Sequence, residues 1–160
     1  MGERPGGAVI TTALSAVVGA ERARVWRALT EPAEVIRWDG AMLALLEPAD
    51  GYPRIGQPVR WRCQLGNVPV VLEDRPREVL AGARLRSDVA FGLFRFSQTW
   101  SLADEPGEGA ARTRLSLRLA AASSIPVVGG SVDRFDVRRL AAEYVDAKLR
   151  GLQRWCELSV

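Results

Sequence analysis

The feature that most constrains this chain is its C-terminal stretch, Ser131 to Leu158, which the spacing predicts to be one long helix. Val137, Leu140, Ala141, Tyr144, Val145, Leu149, Leu152, Trp155 and Cys156 recur at helical intervals, while Arg138, Arg139, Glu143, Asp146, Arg150 and Arg154 fall on the opposite side. Ser131 is placed to accept from the first free backbone N–H groups, and Asp133 and Asp136 put negative charge at the positive end of the helix dipole. At ~1.5 Å per residue such a helix spans roughly 42 Å, about the width of a domain of this length. Gly151 interrupts the run and is expected to allow a bend. One apolar stripe of this length needs a large apolar partner, which the residues before it must supply.

They supply a sheet. Val9 to Val18 lies in a Val-, Ile- and Thr-rich first strand taken as 8–18, and Glu21 to Leu29 is a short helix ended by Pro32. Pro32 opens a second short helix carrying Val35, Ile36 and Trp38, which closes near Asp39-Gly40. From Ala41 the hydrophobic period changes from 3.6 to 2, giving strands over Met42–Glu47, Val59–Leu65, Val68–Arg75, Arg84–Phe91, Leu93–Leu102 and a last one around Thr113–Leu119. Val59, Trp61, Cys63 and Leu65 oppose Arg60, Arg62 and Gln64; Phe94, Phe96, Gln98, Trp100 and Leu102 oppose Arg95, Ser97, Thr99 and Ser101. The phase of Val68–Arg75 stays open, since Val70 and Leu72 share one face while Val71 is apolar on the other. A turn about Phe91-Gly92 pairs Val89 with Phe94, Ser87 with Phe96 and Leu85 with Gln98. Consecutive strands with one apolar face make an antiparallel sheet covered on one side, and the long helix is the element large enough to cover it. Ala121 to Gly130 is read as a connector whose Pro126 and Gly129-Gly130 allow the helix to swing.

The 160 residues are expected to form a single domain over 1–160, with 1–7 flexible. A net charge of +3 is spread without a basic tract, so nucleic acid is not an expected partner. All but one of the 22 basic residues are arginine, the exception being Lys148, a skew read as compositional bias. Arg60, Arg62, Arg84, Arg86, Arg112, Arg114 and Arg118 are placed on the solvated outer face of the sheet. Cys63 and Cys156 lie far apart in no ligand spacing and are read as reduced core cysteines of a cytoplasmic protein. Thr11, Thr12 and Ser15 break the apolar run after Arg4, which argues against a secretion signal, and no run of ~20 apolar residues spans a membrane. Nothing in the pattern fixes an oligomeric state.

The order strand, two short helices, six strands and long terminal helix resembles the START-like, or SRPBCC, superfamily. The text Ala23-Arg24-Val25-Trp26-Arg27-Ala28-Leu29-Thr30-Glu31-Pro32, then Trp38, is similar to its first helix pair, and Gly109 to Leu117, with Thr113-Arg114-Leu115, to its last strand. The resemblance implies an α+β helix-grip fold: a curved seven-stranded antiparallel sheet and two short helices wrapped around the C-terminal helix, with an apolar cavity between. It spans carriers, polyketide cyclases or dehydratases and chaperone activators, so it leaves function open.

The residue inventory narrows the chemistry. With no histidine in the chain, Ser-His and Cys-His nucleophiles, histidine metal sites and a histidine base are excluded. No GxxxxGK[ST] or GxGxxG follows a strand, so neither a phosphate cradle nor a dinucleotide cofactor is expected. The informative residues are polar groups on the inward faces, because burying one without a partner costs ~1 to 3 kcal/mol. These are Cys63, Ser87, Gln98 and Tyr144, with Phe96, Trp61 and Trp100 as aromatic neighbours that serve either as core or as ligand walls. Gln98 is either tied to Ser87, backbone or buried water, or orients a ligand. Glu73 is an interior acid only if its strand takes the less apolar phase; otherwise no inward carboxylate is evident and catalysis lacks its base. The expectation is therefore binding of a hydrophobic small molecule, a lipid, isoprenoid or polyketide-like ring system, between sheet and helix. The alternative is a polyketide cyclase or dehydratase acting in the same cavity, and the third a protein-interaction role of the chaperone-activator type.

Overall fold

The computed structural model describes residues 9–47, 50–65, 67–92, 94–122, 126–127, 130–131 and 134–158. Strand β1 (Val9–Val18) leads into helices α1 (Arg22–Thr30) and α2 (Pro32–Trp38). Strands β2 (Met42–Leu45), β3 (Val59–Leu65), β4 (Val68–Leu80), β5 (Arg84–Phe91), β6 (Phe94–Asp104) and β7 (Thr113–Ala122) follow, then the two-residue strands β8 (Pro126–Val127) and β9 (Gly130–Ser131), and helix α3 (Arg134–Leu158). The large sheet has seven strands in the order β1-β7-β6-β5-β4-β3-β2, every neighbouring pair antiparallel. The first strand thus closes onto the last through the β1–β7 pair, and α3 lies against the inner face. This is the helix-grip architecture that the resemblance implied, built on the one-side-covered antiparallel sheet that the periodicity predicted.

The buried residues form two clusters. Val18, Val25, Leu29, Trp100, Leu115 and Leu117 pack with Val145, Leu149 and Leu152 of α3 in one; Val35, Val59, Trp61, Cys63, Leu72 and Val89 form the other. Glu34 of α2 ties the helices together, accepting from Arg24 at 2.7 Å and from the Trp155 indole N–H at 2.8 Å. The α3 backbone runs closest to β1 and β7. Helix and sheet therefore diverge toward β3, β4 and β5, and that wedge is where an interior site can lie.

Several expectations are corrected. Helix α3 begins at Arg134, and Ser131, assigned above as its cap, belongs to β9; Asp133 lies outside the described residues, and so does the side chain of Asp136. The connector contains the β8–β9 hairpin rather than a bare swing segment. Strand β4 runs on past Arg75 to Leu80, because Pro76 sits beside a bulge at Arg77 where no ladder N–H is required of it. The β5–β6 register is shifted by two residues: Val89 pairs with Phe96, Ser87 with Gln98 and Leu85 with Trp100. The pairing now ends at Phe91 opposite Phe94, one residue beyond the expected turn, and Gly92, at φ 57°, supplies a left-handed position after β5. A two-residue shift preserves which face each side chain takes. Leu140, expected on the apolar stripe, is 55% exposed, and Lys148 is buried on it instead. Several outer arginines are paired across the solvated face, Arg60 with Glu47, Arg84 and Arg86 with Glu78, and Arg114 with Glu105.

Helix α3 is continuous through Gly151. Glycine is required there for proximity: a Cβ would stand 2.9 Å from the Trp38 carbonyl oxygen and 3.4 Å from its ring. Gly151→Ala improves helix propensity by ~1 kcal/mol, but overpacking against backbone costs ~1 to 3 kcal/mol. The variant is expected to melt a few degrees below the parent in a thermal scan; an increase in Tm would show that α2 and α3 part freely.

Candidate functional site

The wedge is lined on its sheet side by a run of aromatic rings. Phe91 and Phe94 stack at 4.8 Å, Phe91 meets Phe96 edge-on at 6.4 Å, and Phe96 meets Tyr144 of α3 edge-on at 5.5 Å. Strand parity puts all three phenylalanines on the covered face, the face that in Val89, Leu85 and Trp100 is fully buried, yet Phe91, Phe94, Phe96, Gln98 and Tyr144 are only half-buried. The inward face thus keeps accessible aromatic surface toward the β5–β6 hairpin end, which is what a ligand-facing wall requires.

Polar groups cross this wall in a line. The Tyr144 hydroxyl donates to Gln98 Oε1 at 2.8 Å. One helical turn on, the Lys148 ammonium lies 4.7 Å from the centre of the Tyr144 ring and bonds to Asp39 Oδ2 at the end of α2. Asp39 is held in place from its other oxygen, which accepts from the Ala41 N–H at 3.1 Å. Lys148 and Asp39 are 8% and 6% exposed, so this is a buried ion pair. Burial works against the charge on Lys148, but Tyr144 and Asp39 more than offset it and hold the ammonium above the usual lysine range. It is a fixed cation, unsuited to act as a nucleophilic amine. Burial raises the Tyr144 hydroxyl to about 12 and the Cys63 thiol to about 11. Cys63 Sγ meets Met42 Sδ at 3.0 Å.

A second polar group lies deeper, on β3, β4 and β5. The Tyr52 hydroxyl donates to Asp74 Oδ2 at 2.6 Å, and Ser87 and Trp61 stand beside the same carboxyl. Asp74 Oδ1 and Trp61 Nε1 are buried without a partner at hydrogen-bond geometry among the described residues. Burial raises the Asp74 pKa, and the pull of Tyr52, Ser87, Lys148 and Trp61 in the other direction does not cancel it. Ser87 links the two groups, being the direct cross-strand partner of Gln98.

All seven residues singled out from the sequence face inward, but they divide. Phe96, Gln98 and Tyr144 meet at the open wall; Ser87 and Cys63 are buried behind it; Trp61 and Trp100 are fully buried, Trp61 edge-on to Tyr52 and Trp100 edge-on to Trp38. Glu73 is not an interior acid: its strand takes the phase that buries Leu72, and its carboxylate pairs with Arg75 on the outside. The inference that no inward carboxylate exists fails, because Asp74 follows Val70 and Leu72 at the same period of two, and Asp39 turns inward at the end of α2. Lys148 was also missed, although it stands four residues after Tyr144 and three after Val145 as the single lysine of the chain. Among the described residues no helix is long and apolar enough to cross a membrane, and no cluster of three or more acidic or thiol ligands could hold a metal ion.

Residues 9–157 match the profile of a family described as polyketide cyclase/dehydrase and lipid transport. The chain belongs to that family. Among solved structures, this family member is similar to a START superfamily protein from Mycobacterium smegmatis (16% identity over 94% of this chain and 99% of that chain, TM-score 0.74). It is also similar to a protein from Thermus thermophilus (24% identity, 94% and 99%, TM-score 0.68) and to the Zhui aromatase/cyclase from Streptomyces sp. R1128 (18% identity, 94% of each chain, TM-score 0.65). At these identities the likeness establishes the fold. No functionally curated protein matches the sequence.

Two outcomes follow from the site's geometry. Gln98→Leu strands the Tyr144 hydroxyl and Tyr144→Phe strands the Gln98 carbonyl, each costing about 0.5 to 1.5 kcal/mol, with the double variant costing less than their sum. Strict additivity in denaturant melts would mean that the bond contributes nothing. For Asp74, a folded pKa above the unfolded value of about 3.9 favours the protonated folded state; that contribution is complete below about pH 4 and is lost as pH rises through the folded pKa. Asp74→Asn keeps an oxygen for Tyr52 and removes the buried charge, so its Tm is expected to exceed the parent's by a few degrees at neutral pH and to converge with it near pH 4. A pH-independent difference would mean that Asp74 is not titrating in the folded interior.

Proposed function

We propose that this protein binds a hydrophobic small molecule with a flat, ring-like apolar body and at least one polar group, held in the wedge between α3 and strands β3 to β6. The observation that carries the reading is the half-buried aromatic run Phe94-Phe91-Phe96-Tyr144 on a face whose Leu85, Val89 and Trp100 are buried. Aromatic surface left open inside a fold offers stacking to a planar ligand, while Gln98, whose oxygen is taken by Tyr144, keeps its amide N–H groups for a ligand oxygen. Membership of a polyketide cyclase/dehydrase and lipid transport family supports a ligand of this kind.

A second reading, cyclisation or dehydration of a polyketide-like substrate in the same space, is favoured by Asp74, a buried carboxyl with a raised pKa and an unpartnered oxygen. Under this reading Asp74→Asn, though folded, abolishes turnover of a poly-β-ketone; under the first it does not alter binding.

Native mass spectrometry of the purified protein is expected to reveal a co-purifying apolar adduct, and titration with methyl 2-naphthoate to quench tryptophan fluorescence saturably. Phe96→Ala, which removes the ring joining sheet and helix walls, is expected to weaken that titration by about 10-fold. Absence of both adduct and saturable quenching would overturn the reading.

A further inference from the structure

The charge count of the wedge selects among ligands. Lys148 is the one basic side chain buried among the described residues, and Asp39, itself fixed by the Ala41 N–H, already occupies it. The remaining neighbours of the ammonium are the face of Tyr144 and, from β3, the thiol of Cys63. A further carboxyl, Asp74, lies close enough to feel Lys148. The interior thus offers hydrogen-bond donors but no unspent positive charge, and an incoming carboxylate would compete with a tethered carboxylate for one cation.

We propose that Asp39 is a specificity-determining residue: by spending the charge of Lys148 it makes the site select ligands whose polar group is a neutral oxygen, a ketone, ester or phenol, and exclude carboxylates such as free fatty acids and aromatic acids. This deepens the binding reading above and rests on it. Asp39 acts here on charge and not on shape, because it stands at the end of α2 with its carboxylate oxygens bonded to Lys148 and to the Ala41 N–H.

The test uses two probes of one shape, 2-naphthoate and methyl 2-naphthoate, titrated at neutral pH against the full chain by tryptophan fluorescence and by the rise in Tm. The parent protein is expected to bind the ester at least about 10-fold more tightly than the acid, the value of one charge-assisted contact withheld. Asp39→Asn frees the ammonium, so the acid should gain about 10-fold or more while the ester stays within a few-fold, and the Tm rise given by naphthoate should be larger in the variant than in the parent while the rise given by the ester stays nearly the same. Should the unpaired lysine prevent folding of that variant, Asp39→Asn/Lys148→Met removes both charges together. In it the acid-to-ester ratio should match the parent's, because a spent pair contributes no attraction. Equal binding of acid and ester by the parent, no gain for the acid in Asp39→Asn, or a loss of acid binding confined to the double variant would each overturn the proposal while leaving a working binding site. Failure of the parent to bind either probe would overturn the binding reading itself.

Discussion

The buried contact between Lys148 and Asp39 joins α3 to the end of α2 and sets the terms on which the interior can be polar at all. Two charges taken out of water lose several kcal/mol of hydration each, and only close geometry with further bonds recovers it. Here the geometry is enforced from both ends. Asp39 is fixed by the backbone amide of Ala41 and by its own N–H, which bonds to Val35 O at 2.9 Å; Lys148 is carried on a helix whose neighbouring side chains, Val145, Leu149 and Leu152, are locked in the main core. The contact between α2 and α3 is correspondingly tight, with Gly151 admitting the Trp38 carbonyl where any side chain would intrude. Helix packing, not the sheet, therefore positions the cation.

That arrangement explains why the core is split in two. One cluster lies between α3 and the β1, β7 and β6 side of the sheet, the other between α2 and β3, β4 and β5, and the polar line Asp39, Lys148, Tyr144, Gln98, Ser87, Asp74 runs along the boundary between them. A single continuous apolar core would have drawn the helix down onto the whole sheet. With polar groups along the seam, α3 stays close to β1 and β7, and the phenylalanines of the β5–β6 hairpin are left only half-buried. The apolar surface that makes the wall sticky and the polar groups that give it direction have one origin.

How much of this was legible in the sequence depends on the range of the interaction concerned. Strand alternation is local, so the faces of Trp61, Cys63, Ser87, Phe96, Gln98 and Trp100 could be read directly, and a wrong hairpin register did not disturb them because an even shift keeps every face. Helix bounds were less legible at the end where a short hairpin precedes α3. The site was half legible: Tyr144 and Gln98 could be named, but not that they bond each other, since 46 positions separate them. Asp74 was overlooked because Val71 obscured the phase of its strand, and Asp39 because a residue closing a short helix is read first as a cap. Such pairings are fixed by tertiary approach, and no periodicity encodes them.

Lys148 shows what a single residue type can signal once its surroundings are known. In a chain whose other basic residues are all arginine, the one lysine is also the one basic side chain buried among the described residues. The site explains the chemistry of the choice. A guanidinium brings five N–H donors in a rigid plane and needs acceptors around its rim, whereas an ammonium brings three donors at a point. The seam offers one carboxylate oxygen and the face of one tyrosine ring, which match the smaller cation and would leave several guanidinium donors buried and unpaired. What compositional reading treated as a residue of genomic bias is, in the folded chain, the point on which the polar half of the interior converges.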